Sequence, residues 1–380
     1  MTDHRDVVFS FSTETLADAA ARGLNRPPER MLGALSRDPR VERLLAVDAT
    51  RWLPAAVRRG RTPWPSGLGP ERHHLRPTRL ARHEPIDLPD VKAGVARRED
   101  AVRRRARRLG FTEPAIVSFD PLFAAFGTFD WAGPVTFYAR DDWARFSPRR
   151  PWWPAYEDAY RALRDNGRAV LAVSQPILDR IDPSGPSAVI VNGIDPDEWR
   201  QVEQPPTWLT ELDGPVATYV GTVDDRVDLD LVAAATESAT VLLVGPCRDE
   251  ARRAALTGLG ARLHVAADRD ELAAIVAHSD IGLIPHTRSP LTEAMSPLKL
   301  FEYRAAGLPV ATVSLPPIET EAADDPAIVL AADSPTGFAD AVRRAAEHGR
   351  DDETERLAYL DAASWSGRLR PALDIALRAS

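Results

Sequence analysis

The chain has 380 residues, 44% of them hydrophobic and 27% charged, with a formal net charge of −8 at pH 7. That length suits two domains of ordinary size, or one unusually large one, and allows a substantial core. A single cysteine, Cys247, excludes an internal disulfide framework and any Cys-rich zinc module, and the longest run without a charged residue, 305–318, is too short to span a membrane, which takes about 20 apolar residues.

Charges at Asp3, Arg5, Asp6 and Glu14 interrupt any apolar signal segment, so the expected location is the cytoplasm. Apolar β-rich runs then alternate with helical periodicity from end to end, the pattern of an α/β protein with mostly parallel sheets. In the first half strands are expected at 7–11, 41–47, 115–119, 135–138, 169–173 and 188–191, with helices at 27–35, 91–109 and 154–165. Residues 60–77, rich in Pro, Gly and Arg, read as a mobile irregular segment, with His73 and His74 as loop residues. In the second half strands are expected at 216–220, 241–244, 262–265, 281–284, 310–313 and 328–330. Helices are expected there at 225–237, 248–257, 269–278, 297–306 and 335–347. The polar stretch 196–208, with the pair Pro205-Pro206, marks the break between halves. This divides the chain into two Rossmann-like domains, 1–196 and 209–360, and a C-terminal segment 361–380 in which 365–379 read as a helix.

Charge divides the same way. Residues 1–190 carry 31 basic and 24 acidic residues, whereas 191–380 carry 17 and 32. Of the basic residues only Lys92 and Lys299 are lysines, against 46 arginines. A lysine kept against so strong an arginine bias is a candidate for a specific role.

Lys299 lies in the segment SPLTEAMSPLKLFEYRAAGLPV, 289–310. Ser296 suits an N-cap, Pro297 and Leu298 the first helical positions, and Gly307 with Pro309 the end. Lys299 then sits in the first turn, where a cation opposes the helix dipole by about 0.3–1 kcal/mol. A bound anion would reverse that sign, because free backbone N–H groups already point at it. Glu302, three residues on, offers a carboxylate to the paired hydroxyls of a ribose; the bland alternative is an exposed Lys299–Glu302 pair. A parallel case is VATYVGTVDDRVDLDLV, 216–232. There Gly221 and Thr222 make a tight turn after a strand, Asp224 or Asp225 caps the next helix, and Arg226 falls in its first turn. Two cations at helix starts beyond strand ends suit a diphosphate, where ligands of open α/β sheets bind. The bland reading of Arg226 is an ion pair with Asp224, Asp225 or Asp228. Neither G-x-G-x-x-G nor a Walker A lysine is present.

These segments resemble the nucleotide-sugar site of retaining glycosyltransferases of family 4, which have the GT-B fold. PLKLFEY, YVGTVDDRVDLDL and the upstream FYARDDW resemble most the teichuronic-acid-biosynthesis-type branch. The resemblance is good over 214–315, weaker over 119–195, and generic before that. It implies two facing Rossmann-like domains, with the donor held by the second and residues 361–380 crossing back to the first. It carries Glu302 to the ribose-binding acid of the family's paired-Glu motif; Ala294 stands where the first acid would fall, and Glu293 is out of register. Thr222 stands at the usual arginine position, so Arg226 and Lys299 share the diphosphate.

The implied reaction moves a sugar from a UDP, GDP or dTDP sugar to a hydroxyl acceptor, lipid-linked or a natural product, with retention and with no metal or other cofactor. Asp141 and Asp142 in FYARDDW, and Asp120 in SFDP, are the candidate catalytic carboxylates at strand ends; helix capping and solvated charge are their bland readings. Ser12 and Thr13 follow the first strand and either reach a substrate or cap the next helix. Seven arginines between Arg97 and Arg108 read as a solvated helix face or, more sharply, as peripheral contact with anionic lipid at the inner membrane face. Trp152 and Trp153 are an interface anchor or a domain edge. Nucleic acid is not an expected partner, because stacking aromatics and a reader motif are missing. The competing functions are a nucleotide-sugar epimerase on the same fold and a catalytically degenerate nucleotide-sugar binder.

Overall fold

The computed structural model describes residues 4–60, 62–70 and 72–378. Residues 1–3, Arg61, Glu71, Ala379 and Ser380 lie outside the described residues, and with them the ends of the first domain and of the expected C-terminal helix and two positions of the segment 60–77. The chain divides into two units, residues 1–191 with 368–380, and 192–367.

The first unit is built on seven parallel strands: β1 (Arg5–Ser10), β2 (Val41–Val47), β3 (His73–Leu75), β4 (Ala115–Ser118), β5 (Val135–Ala139), β6 (Ala169–Ala172) and β7 (Ser187–Val189). Their spatial order is β3-β2-β1-β4-β5-β6-β7. The central strands are buried on both faces, which is why they read as unbroken apolar runs. The second unit has six: β8 (Val216–Val220), β9 (Thr240–Val244), β10 (Arg262–His264), β11 (Ile281–Ile284), β12 (Val310–Val313) and β13 (Ile328–Ala331), in the order β10-β9-β8-β11-β12-β13. Each sheet therefore reverses direction beside its first strand, between β1 and β4 and between β8 and β11. Such a reversal leaves a crevice beyond the carboxyl ends of the strands.

Several sequence expectations are corrected. The segment expected to be irregular, 60–77, contains a short 3-10 turn, Ser66–Leu68, and the edge strand β3, in register with β2 (Leu45↔His73 to Val47↔Leu75). An edge strand needs only one ladder, so it carries no apolar run for a sequence to show. His74 is accordingly a strand residue, 3.0 Å from Asp48. Residues 192–208, read as the end of a domain and a linker, belong to the second unit. Within them Asp195 caps the helix Pro196–Arg200, whose Trp199 is fully buried. The helix expected at 225–237 starts only at Leu229, because Asp228 accepts from the Asp230 and Leu231 N–H groups. Helices Pro316–Ala322 and Glu353–Ala362 were not expected, and the stretch from Trp365 is broken into Trp365–Arg368 and Arg370–Ala376. No described helix is long and apolar enough to cross a membrane.

Candidate functional site

In the second unit the two strands flanking the reversal pair only through Ala217↔Ile281 and Thr218↔Gly282. Beyond that they part, and a tyrosine replaces the missing ladder. The Tyr303 hydroxyl accepts from Val220 N at 2.8 Å and donates to the Leu283 carbonyl at 3.3 Å. Its ring lies against Gly282, where a Cβ would come within 2.3 Å of it. A side chain at 282 and a tyrosine at 303 are thus mutually exclusive. This contact fixes the helix Leu298–Ala305 against the crevice; a Schellman pair, Leu308 N to Tyr303 O (2.9 Å) and Gly307 N to Arg304 O (3.0 Å), ends it. Tyr303→Phe should leave both strand groups buried without a partner and lower stability by about 1–3 kcal/mol, read as a fall in Tm. An unchanged Tm would remove Tyr303 from its splaying role.

The helix start differs by one residue from the expectation. Pro297, not Ser296, is the N-cap, so Lys299 is the second helical residue. Proline offers no capping side chain, and no hydrogen bond closes on the Leu298 and Lys299 N–H groups among the described residues. Those donors stand ready for a ligand. Ser296 contributes its carbonyl, which accepts from the Asn192 side chain at 2.7 Å and so ties down the approach to the helix.

Lys299 reaches back over the end of β8. A Cβ on Gly221 would stand 3.5 Å from its Nζ. The ammonium lies 4.0 Å from the centre of the Tyr219 ring and 3.1 Å from His286 Nε2. Burial first, and then the Arg226 charge, bring the Lys299 pKa from 10.5 down to about 7. Burial likewise pushes His286 well below 6.5, helped by Lys299 and Arg226. A neutral His286 therefore accepts from Lys299 at Nε2 and carries its proton on Nδ1, a buried atom with no hydrogen-bond partner among the described residues. The exposed Lys299–Glu302 pair does not form. Glu302 Oε1 instead meets Arg269 Nη2 at 2.7 Å, and Arg269 also holds Glu198.

Arg226 is not in a helix. It lies in the turn before Leu229, held by Asp224 through Nε (2.9 Å) and Nη2 (2.6 Å), as its bland reading anticipated. That turn is stitched to the end of β11: Thr287 N donates to Arg226 O at 2.8 Å and Asp228 N to Pro285 O at 2.8 Å. The stitching brings Arg226 near enough to Lys299 to depress its pKa. Gly221 borders Lys299, Thr222 is exposed and accepts from the Tyr219 hydroxyl through its carbonyl (3.1 Å), Leu298 is half-buried and Pro297 buried. Ala294 is buried at the end of a 3-10 turn, and Glu293 turns outward to Arg288, 3.5 Å away. Sequence reasoning missed His286, Tyr219 and Arg269. A histidine immediately beyond an apolar strand was the available signal for the first.

The first unit's candidates separate. Asp142 is buried, bonded to Ala144 N (3.2 Å) and paired with Arg180 (3.2 Å), and so has no open face for substrate. Asp141 is partly exposed beside Arg140. Asp120 caps the helix Pro121–Phe126, accepting from Leu122 and Phe123, and also pairs with Arg98 at 2.7 Å. The cap of the helix Leu16–Ala21 is Thr15, so neither Ser12 nor Thr13 has that task. Arg98 is no part of a solvated face: it is 7% exposed and bonds Ser10 Oγ, Phe11 O and Asp48 O at the β1/β4 reversal. The other helix arginines are exposed or half-buried. Trp152 donates to Pro85 O and Trp153 to Phe146 O.

Residues 215–348, which hold Lys299, Arg226, His286 and Glu302, match the family model described as Glycosyl transferases group 1. Over that stretch the chain is similar to the group 1 glycosyl transferases. Over 50 residues it is 46% identical to TuaH of Bacillus subtilis strain 168, named for a glycosyltransferase of teichuronic acid biosynthesis; that match spans 13% of each protein. Across nearly the full chain the fold is similar to that of solved structures. Sucrose-phosphate synthase from Thermosynechococcus elongatus has 15% identity, 97% coverage of each chain and a TM-score of 0.68. The trehalose 6-phosphate synthase of Burkholderia multivorans has 14% identity, 98% coverage of each and a TM-score of 0.66. The fold is GT-B, as expected from the residues around Lys299.

Proposed function

We propose that the protein transfers a sugar from a nucleotide-diphosphate sugar to a hydroxyl acceptor, with retention and without a metal. The observation that carries this reading is the Lys299 ammonium held over Gly221 at the sheet reversal, beside Arg226 and an uncapped helix start. An ammonium so enclosed, in contact with a ring and a neutral imidazole and with no ion-paired carboxylate among the described residues, is poorly compensated until an anion arrives. A diphosphate supplies that anion. As the bond from the anomeric carbon to the diphosphate breaks, negative charge grows on the departing oxygens, and two cations and a helix start lower the energy of that state. Glu302, whose Oε1 is held by Arg269, suits a ribose hydroxyl. These residues supply the positive charge that a metal would otherwise bring, and unchanged turnover in EDTA is the expected result. Retention rests on the family 4 resemblance, and the anomeric configuration of the product by NMR tests it. The name of the Bacillus relative supports an acceptor from the cell envelope.

UDP, GDP and dTDP should be compared by thermal shift. At a hundred times its dissociation constant the fitting nucleotide stabilises by about 2.7 kcal/mol. A flat response to all three would sink the donor-site reading.

A further inference from the structure

Glu302 follows Lys299 by three residues on the helix Leu298–Ala305, the spacing at which an acid and a base on one helix face meet. A pair between them would neutralise the ammonium that lies over Gly221. Arg269 takes the carboxylate instead, Nη2 to Oε1 at 2.7 Å. Arg269 is the first residue of the helix Arg269–Ala277, directly after the N-cap Asp268, where a cation opposes the helix dipole just as Lys299 does on its own helix. Two basic residues in unfavourable first turns thus flank one acid.

The Arg269 guanidinium is held on a support of its own. Glu198 Oε2 accepts from its Nε at 3.2 Å and from its Nη2 at 3.1 Å, and the Trp199 ring centre lies 5.6 Å from its Cζ. Glu198 and Trp199 belong to the helix Pro196–Arg200. Trp199 is 1% exposed, and its carbonyl accepts from Arg356 at 2.7 Å, so this helix is a fixed base for the guanidinium. Arg269 is therefore already positioned before Glu302 reaches it, and less rotamer freedom is lost in holding the acid.

The consequence falls on Lys299. An enclosed ammonium with a carboxylate partner has little attraction left for a second anion, whereas one without a partner draws the anion in. Glu302 is the acid placed to be that partner. Burial and the Arg226 charge lower the Lys299 pKa, and the Glu302 charge already works against them without an ion pair.

We propose that Arg269 is a positioning residue for the diphosphate site: by holding Glu302 it keeps that carboxylate off Lys299 and leaves the ammonium open to the donor's phosphates. This role rests on the donor-site reading of the second unit. Arg269 acts through Glu302 and not on the ligand.

Pyrophosphate, which has no ribose, reports the phosphate half of the site alone. Calorimetric titration of the full chain with pyrophosphate should show Arg269→Met binding on the order of tenfold more weakly than wild type, because Glu302 now neutralises Lys299. Adding Glu302→Gln should bring the affinity back to within about threefold of wild type, since glutamine has no charge to give Lys299. The pH profile moves with it. A carboxylate partner raises the Lys299 pKa, so in Arg269→Met the loss of affinity sets in above the wild-type onset of about 7, and in the double variant it returns there. Asp224, Arg226, His286 and Tyr219, the other groups around the ammonium, are common to all three proteins. Arg269→Gln, which can still bond Glu198, carries the same expectation if the methionine variant does not fold. Glu198→Gln takes away a partner of Arg269 without freeing Glu302, and should bind pyrophosphate as wild type does. Wild-type affinity and profile in Arg269→Met overturn the proposal. So does a loss that Glu302→Gln leaves unrestored or that Glu198→Gln reproduces, either of which makes Arg269 a structural residue. A wild type that binds no pyrophosphate removes the diphosphate site itself and this role with it, a failure of the donor reading that no Arg269 variant would produce.

Discussion

Lys299→Met is expected to weaken nucleotide binding on the order of 10- to 100-fold while leaving the ligand-free protein at least as stable as wild type. The loss follows from removing a charge-assisted contact to the diphosphate, worth about 1.5–3 kcal/mol. The retained stability follows from the site. Nζ contacts a neutral imidazole and a tyrosine ring, with no carboxylate in ion-pair range among the described residues, so the folded protein gains little from the charge it encloses. Methionine fills the same channel without that cost. Calorimetric melting and titration of the variant check both halves. A variant that melts lower and binds normally would make Lys299 a structural residue.

The same group sets a pH dependence whose sign can be worked out. Its pKa is depressed on folding, from 10.5 to about 7, so between those values the unfolded chain holds a proton that the folded protein has lost. Stability therefore rises with pH across that window, and below pH 7 the full cost of the buried charge is present. A bound diphosphate favours the ammonium, so binding above pH 7 takes up a proton. Affinity should fall as pH rises from 7, by up to about tenfold per unit, and Lys299→Met should flatten the profile. Asp224, Arg226, Glu302, Arg269 and His286 face the same space; burial lowers His286, and against burial pairing with Arg226 lowers Asp224 and the Glu302 and Glu198 charges raise Arg269, each away from that window. Titration in buffers of different ionisation enthalpy counts the proton directly.

The largest stability effect belongs to the other unit. Arg98→Met should cost about 3–5 kcal/mol, a fall in Tm on the order of 10 °C for a unit of this size. Arg98 joins the ends of β1, β2 and β4 through Ser10, Phe11, Asp48 and Asp120, and its loss leaves the Asp120 carboxylate enclosed without its cation. Adding Asp120→Asn should recover part of the loss, because asparagine keeps the cap of Pro121–Phe126 and removes the stranded charge. If the double variant melts no higher than Arg98→Met, the cost lies in packing against Phe123 instead, whose ring is 4.8 Å from the guanidinium.

How much was legible varied with how local each feature is. All six strands of the second unit were readable because strands buried on both faces must be continuous apolar runs, and four of the helices between them showed in periodicity, whereas Pro316–Ala322 between β12 and β13 did not. Lys299 stood out by its rarity and by its place on the wrong side of a helix dipole. β3 was not readable, since an edge strand with two histidines has neither an apolar run nor alternation. The helix Pro196–Arg200 was hidden in a polar stretch, because one buried tryptophan rather than a periodic face holds it down. Asp142 looked like Asp120 and Asp141 in sequence, yet only the fold turned it inward to Arg180.

The amino-acid sequence by itself determined the α/β alternation, the positions of the strand ends, and the residue types beyond them: a glycine turn, a lone lysine, an acid three residues on. Those depend on neighbours along the chain. Only the tertiary structure decided which strand ends lie together. It placed Tyr303 in the gap between β8 and β11, brought His286 and Tyr219 against Lys299, gave Glu302 to Arg269 rather than to Lys299, and drew Arg98 out of a row of arginines into the first unit's reversal. The reason is physical: burial and charge act through space, so what Lys299 can do depends on groups that are up to 80 residues away in sequence but within 4 Å of its ammonium.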